Sequence, residues 1–230
     1  MVRRFHRLRI VVLKCYTPSA KLVVSHGDLD DWFRVLLSGA AERYATNNLH
    51  RVSLEITGYD AVSGQYPGTV DGVDAIVVTG SGNGAYEPIK WIQTLEKYIQ
   101  DIYSQYPSVK FFGACFGHQI ISKALLADQG VEFTNLLPEE LPLALGQPCR
   151  LSMQFVHGDH VVIPEKADLS GWVRLGGHSE YDIEINTANM ESLAEKLAWD
   201  EEYMAETMSL VHHDDDSAIF ADVVLAFFLK

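Results

Sequence analysis

Asp74-Ala75-Ile76-Val77-Val78-Thr79 carries four successive apolar residues and then breaks into Gly80-Ser81-Gly82-Asn83-Gly84. A short strand that is apolar on both sides has to be covered on both faces, which is the situation of a parallel sheet flanked by helices. Leu8 to Leu13, rich in β-branched residues, reads the same way, and Val109 to Phe112 is a third such run. Val52 to Ile56 alternates as a shorter strand. Between the strands the spacing turns helical. Asp28 to Tyr44 places Asp28, Asp30 and Asp31 in a first turn, where the helix dipole favours negative charge, and Trp32, Phe33, Val35, Leu36, Leu37 and Ala40 after them. Pro88 to Tyr106 sets Ile89, Ile92, Leu95, Ile99 and Ile102 on one face, with Pro88 expected in the first turn. Strand and helix in alternation predict a single three-layer α/β/α domain with a mostly parallel, doubly wound sheet, whose ligands sit at the carboxyl ends of its strands.

The remaining chain is less patterned. Gln129 to Arg150, with Pro138, Pro142 and Pro148, reads as mostly loop, and Leu151 to Val156 as a strand. Met190 to Thr207 reads as an acidic amphipathic helix, His212 to Asp216 as a solvated loop, and Ala218 to Leu229 as a helix or strand packed on the sheet. No repeat or low-complexity linker divides the 230 residues, so one domain spanning 1–230 is expected, with 1–7 flexible.

Net charge is −13, from 31 acidic and 18 basic residues, and this argues against general nucleic-acid or anionic-membrane binding, both of which need clustered positive charge. No apolar run approaches membrane-spanning length, and Ile10 to Leu13 is too short for the core of a signal peptide. Three cysteines, Cys15, Cys115 and Cys149, form no disulfide framework and suit a reducing compartment. A cytoplasmic location is expected.

Phe111-Phe112-Gly113-Ala114-Cys115-Phe116-Gly117-His118-Gln119 reads as strand, sharp turn and helix. A side chain on such a turn stands clear of the sheet and faces a helix N-terminus, and the turn needs small neighbours, here Gly113 and Gly117. The dipole and a nearby imidazole would make Cys115 a thiolate nucleophile; a buried structural cysteine is the other reading of the position. Further on, His178 and Glu180 follow Gly176-Gly177. Residues two apart on an extended segment point the same way, so Glu180 can orient His178 as a base. His157-Gly158-Asp159-His160 matches no zinc spacing, and a metal there would compete for the thiolate, so no metal is expected. The Gly80 loop lacks both the P-loop lysine and the dinucleotide pattern.

Gly113-Ala114-Cys115-Phe116-Gly117-His118-Gln119 resembles the nucleophile elbow of class I glutamine amidotransferases, and Gly177-His178-Ser179-Glu180-Tyr181 is similar to that family's second signature. Thr79-Gly80-Ser81 and the segment from Leu8 to Leu37 look like the stand-alone fungal members and the related γ-glutamyl peptidases of plants. The resemblance covers residues 8–182 and implies the flavodoxin-like fold of that family. It also implies hydrolysis of the γ-amide of glutamine or of a γ-glutamyl peptide, through a Cys115-His178-Glu180 triad and a γ-glutamyl thioester, with no cofactor. By the same resemblance the oxyanion hole is formed by the backbone N–H of Phe116 and that of Gly80 or Ser81. Gln119, together with the His157-Gly158-Asp159 segment, would hold the substrate. Ser179 stands where the family has proline, and the chain between Cys115 and His178, above all between Val161 and His178, is shorter than the family's. A catalytically degenerate member, or a subunit acting with a synthetase partner, is therefore the alternative expectation.

Overall fold

The computed structural model describes residues 4–47, 50–130, 132–135, 159–170, 172 and 217–230. Strand β1 (Arg4–Lys14) pairs in parallel along its whole length with β2 (His50–Asp60) and, through Ile10–Leu13, with β3 (Ala75–Val78); β3 pairs in parallel with β4 (Lys110–Gly113). The order is β2-β1-β3-β4. Both ends of β2 outrun the alternating stretch from Val52 to Ile56. A hydrogen-bond ladder asks nothing of side-chain polarity, so polar His50 and Arg51 pair as readily as the apolar middle. The ladder also reaches back to Arg4, so that Arg4–Arg7, expected to be loose, lie opposite His50–Ser53.

Helices α1 (Ala20–His26) and α2 (Leu29–Asn47) join β1 to β2, α3 (Lys90–Gln105) joins β3 to β4, and α4 (Phe116–Leu126) follows β4. From β1 the chain first steps to one side of the sheet and then, at β3, to the other. Right-handed crossovers therefore place α2 and α3 on opposite faces and make the β1/β3 boundary the switch point of the sheet.

Side-chain alternation in the strands feeds both layers. Leu8, Ile10 and Val12 of β1 with Ala75 and Val77 of β3 meet Trp32, Phe33 and Leu37 of α2 and Phe220, Val224 and Phe228 of a last helix, α5 (Ser217–Phe228). Val11 and Leu13 with Ile76 and Val78 meet Ile92, Leu95 and Ile99 of α3 and Phe116 and Ile120 of α4. Each such fully buried aliphatic side chain stabilises the fold by roughly 2 kcal/mol relative to leaving it in water.

The helix starts have local causes. Asp28 caps α2, its carboxylate accepting the Leu29 N–H at 2.7 Å, while Asp31 reaches back to the Asp28 N–H at 3.0 Å. α3 begins later than expected: Ile89 is its extended N-cap, and Pro88 precedes the helix instead of opening it. A second sheet pairs β5 (Glu132–Asn135) with β6 (Asp159–Val162) antiparallel, so Glu132–Asn135 is a strand within the stretch expected as loop. A four-residue strand whose partner lies far along the chain leaves no periodicity of its own. Leu151–Val156, Met190–Thr207 and the His212–Asp216 run lie outside the described residues.

Candidate active site

Parallel pairing brings Val78 opposite Gly113. Gly80 and Cys115 each come two residues beyond that pair, so they leave the same edge of the sheet from adjacent strands, which lie about 4.8 Å apart. This edge holds the carboxyl ends of the strands, next to the switch point. The sheet register alone thus brings the glycine loop and the cysteine together.

Cys115 has φ 48° and ψ −112°, and among the described residues it is the non-glycine residue with positive φ. Holding an L-residue there costs roughly 1–3 kcal/mol and persists when the surroundings over-determine it. Those surroundings are visible. The Ala114 N–H donates to the Val78 carbonyl at 2.9 Å, the Gly117 N–H to the Ala114 carbonyl at 2.7 Å, and the Gln119 N–H to the Cys115 carbonyl at 3.1 Å. A methyl group on Gly113 would overlap the backbone of Gly117 and His118, and one on Gly117 would overlap the Val78 carbonyl. Both glycines are therefore required by close backbone approach. Cys115 is the N-cap of α4, and its side chain makes no capping bond to the helix. Its half-buried sulfur sits where the helix dipole favours the thiolate.

Phe116, first residue of α4, is fully buried, with the Trp91 ring 5.4 Å from its own, so its side chain anchors the start of α4 in the core. Gln119, one turn on, is buried at 3% exposure. Cys15 is a different kind of thiol: it is fully buried, and desolvation pushes its pKa far above the ordinary value, with only partial relief from its hydrogen bonds to Thr79. Cys15 is thus a packing residue of the core.

The loop after β3 is tied down by its own polar groups. Ser81 Oγ accepts the Asn83 N–H at 3.2 Å, and the Glu87 carboxylate accepts from Asn83 Nδ2 at 3.0 Å and from the Gly84 N–H at 2.6 Å. Glu87 and fully buried Thr79 are the supporting residues that pattern reading passed over. The available signals were a threonine ending an apolar strand and an acid three residues past Gly84.

Of the other expected site residues, Asp159 opens β6, with its backbone opposite Asn135. His157, Gly158, His178 and Glu180 lie outside the described residues, as does Cys149. Among the described residues, no group of three or more His, Cys, Asp or Glu could hold a metal, and no helix is long and apolar enough to cross a membrane.

No family model matches the chain. Among solved structures it superimposes on a glutamine amidotransferase from Methylobacillus flagellatus with a TM-score of 0.55 at 16% identity, covering 98% of this chain and 95% of that one. It is also similar to a glutamine amidotransferase from Thermotoga maritima, with a TM-score of 0.50 at 16% identity over 97% and 95% of the two chains. The fold is the flavodoxin-like α/β fold of the class I glutamine amidotransferases. A curated relative narrows this: a glutamine amidotransferase-like protein of Schizosaccharomyces pombe is 26% identical over 248 aligned residues, covering 96% of this chain and 98% of the relative. Over nearly its whole length the chain is therefore similar to class I glutamine amidotransferase-like proteins, the resemblance that the Gly113–Gln119 segment carries.

Proposed function

We propose that the protein is a cysteine-dependent amidase acting on the γ-amide of glutamine or of a γ-glutamyl peptide. The observation that carries the reading is Cys115, held at φ 48° between two obligatory glycines at the N-terminus of α4. Stored strain at a half-buried thiol is the signature of a nucleophile placed by its turn.

In this reading the Cys115 thiolate attacks the γ-carbonyl carbon. The resulting oxyanion receives hydrogen bonds from the Phe116 N–H and from Gly80 or Ser81, each such donor contributing about 3 kcal/mol to the barrier reduction. His178, oriented by Glu180, takes the thiol proton and returns it to the departing nitrogen, so ammonia or an amine leaves and a γ-glutamyl thioester remains. Water, deprotonated by His178, then attacks the thioester carbonyl; the C–S bond breaks, glutamate leaves, and His178 returns the proton to the Cys115 sulfur. Gln119 and the 157–159 segment hold the glutamyl moiety. The roles of His178 and Glu180 are supported by their sequence pattern and their order after the elbow. The protein would work in the cytoplasm as one domain, without a cofactor.

Ammonia or amine release from glutamine and from a γ-glutamyl dipeptide, by the purified protein and by Cys115→Ala and His178→Ala, tests this. Turnover lost in both variants establishes the chemistry, and the better substrate separates glutaminase from peptidase. An idle wild type whose Cys115 is also not alkylated by a glutamine-like chloroketone refutes the stand-alone enzyme and leaves the partner-dependent or degenerate subunit.

A further inference from the structure

We propose that Thr79 is a positioning residue: its hydroxyl fixes the Gly80–Ser81 peptide, and so makes the Ser81 N–H, and not that of Gly80, the loop's donor to the oxyanion. This rests on the amidase reading above.

Thr79 is fully buried where β3 ends, and its own N–H donates to the Leu13 carbonyl of β1 at 3.1 Å. A hydroxyl has one proton to give and two lone pairs, and once buried it needs partners. Thr79 Oγ1 accepts the Cys15 N–H at 2.9 Å and donates to the Gly80 carbonyl at 3.1 Å. Cys15, just past β1, is itself 1% exposed. The hydroxyl is thus held from one strand and grips the loop leaving the next, across the switch point of the sheet.

The direction of the donor follows from peptide geometry. In a planar trans peptide the carbonyl and the following N–H point opposite ways. A Gly80 carbonyl drawn inward onto Thr79 therefore turns the Ser81 N–H outward, away from the buried side. The Gly80 N–H belongs to the preceding peptide, which the hydroxyl does not hold. Downstream, the bonds from Asn83 to Ser81 Oγ and from Asn83 and Gly84 to Glu87 close the other end of the loop. A donor fixed at both ends needs no reorganisation as charge develops on the oxygen, and this is where such donors gain most of their effect.

Thr79→Val removes the hydroxyl at nearly constant volume, and Thr79→Ser keeps it. For wild type and both variants, kcat and KM for glutamine are measured alongside amide hydrogen exchange in the peptide spanning residues 79–84. The expected result is a loss of about 100-fold in kcat for Thr79→Val, the scale of one lost oxyanion donor, at unchanged KM. Its loop should exchange faster, and Thr79→Ser should stay near wild type on every readout. Full kcat in Thr79→Val, unchanged exchange, or a serine variant as impaired as the valine one overturns the proposal. Exchange needs no substrate, so a wild type idle on glutamine removes the amidase reading while the exchange result still decides the latch. If Thr79→Val does not fold, Thr79→Ala takes its place in the same comparison.

Discussion

Gly117→Ala puts a single methyl group against the carboxyl end of β3. An ideal Cβ there lies 2.6 Å from the carbonyl carbon of Val78 and 3.1 Å from its Cβ, with the carbonyl oxygen nearer still. Val78 is fully buried on β3, and its carbonyl accepts the Ala114 N–H. Neither partner is the free end of a flexible side chain, so α4 has to lift away from the sheet or the β3/β4 edge has to open. Overpacking of this kind costs about 1–3 kcal/mol, and a weakened Ala114–Val78 hydrogen bond adds about 1 kcal/mol, giving about 2–4 kcal/mol in all. At about 2–4 °C per kcal/mol for a chain of this size, Tm should fall by roughly 5–15 °C. Urea unfolding followed by circular dichroism measures the loss directly. Gly39→Ala is the control, because on α2 its Cβ would meet only Arg43 Nη1, at 3.2 Å, and it should gain about 0.5–1 kcal/mol from helix propensity. A Gly117→Ala protein within about 1 kcal/mol of wild type would refute the argument that backbone approach makes this glycine obligatory.

Cys115→Gly should be more stable than Cys115→Ala by about 1 kcal/mol in the same urea assay, because glycine adopts φ 48° without strain; equal stabilities would mean that the turn is unstrained. Iodoacetamide should alkylate Cys115 in the native protein while sparing Cys15, whose thiol is buried with its pKa raised, and peptide mass mapping reads the difference. Burial, with Tyr59 and Tyr106 nearby, pushes the Tyr98 phenol up to about 12. A group with a raised native pKa supports the fold fully below its unfolded value of about 10 and loses that support as pH climbs towards the native value. Alkaline unfolding should therefore move to higher pH in Tyr98→Phe, with little change at pH 7, since this hydroxyl is buried without a partner among the described residues. Asp222→Ala, which breaks a half-exposed pair with Arg43 at 2.8 Å, should cost less than about 1 kcal/mol in thermal denaturation.

The elements legible in the sequence are those whose burial leaves a mark on composition. β3 is a fully buried aliphatic run, β4 is centred on the Phe111-Phe112 pair, α3 shows a single apolar face, and the elbow is marked by glycines that no other residue could replace. α1 left no such mark: Leu22 is its buried residue, Val24 is exposed, and its start depends on Ser19 accepting the Leu22 N–H. α5 was open between helix and strand because a continuous apolar run fits either period, and its packing beside α2 against the sheet decides the matter. At the site, the pairing of Val78 with Gly113 could not be read locally, although it is what sets Gly80 beside Cys115. The same holds for Thr79, whose long-range partners, Leu13 and Cys15, lie at the end of β1 and just beyond it.

The place of α5 has a consequence for how the protein is made. Phe220, Val224 and Phe228 close the face of the sheet that α2 leaves uncovered, Phe220 lies 6.0 Å from Phe112 of β4, and Lys110 reaches the Phe228 carbonyl at 3.1 Å. Yet α5 is synthesised roughly ninety residues after α4, an interval of about 5–20 s at ordinary translation rates. For that time a nascent chain can pair its four parallel strands while the apolar surface around Val77 and Phe112 still lacks its α5 cover. Its hazard on the ribosome is set by the length of that wait as much as by the stability of the finished fold, and a stalled chain lacking α5 is the species a chaperone would meet.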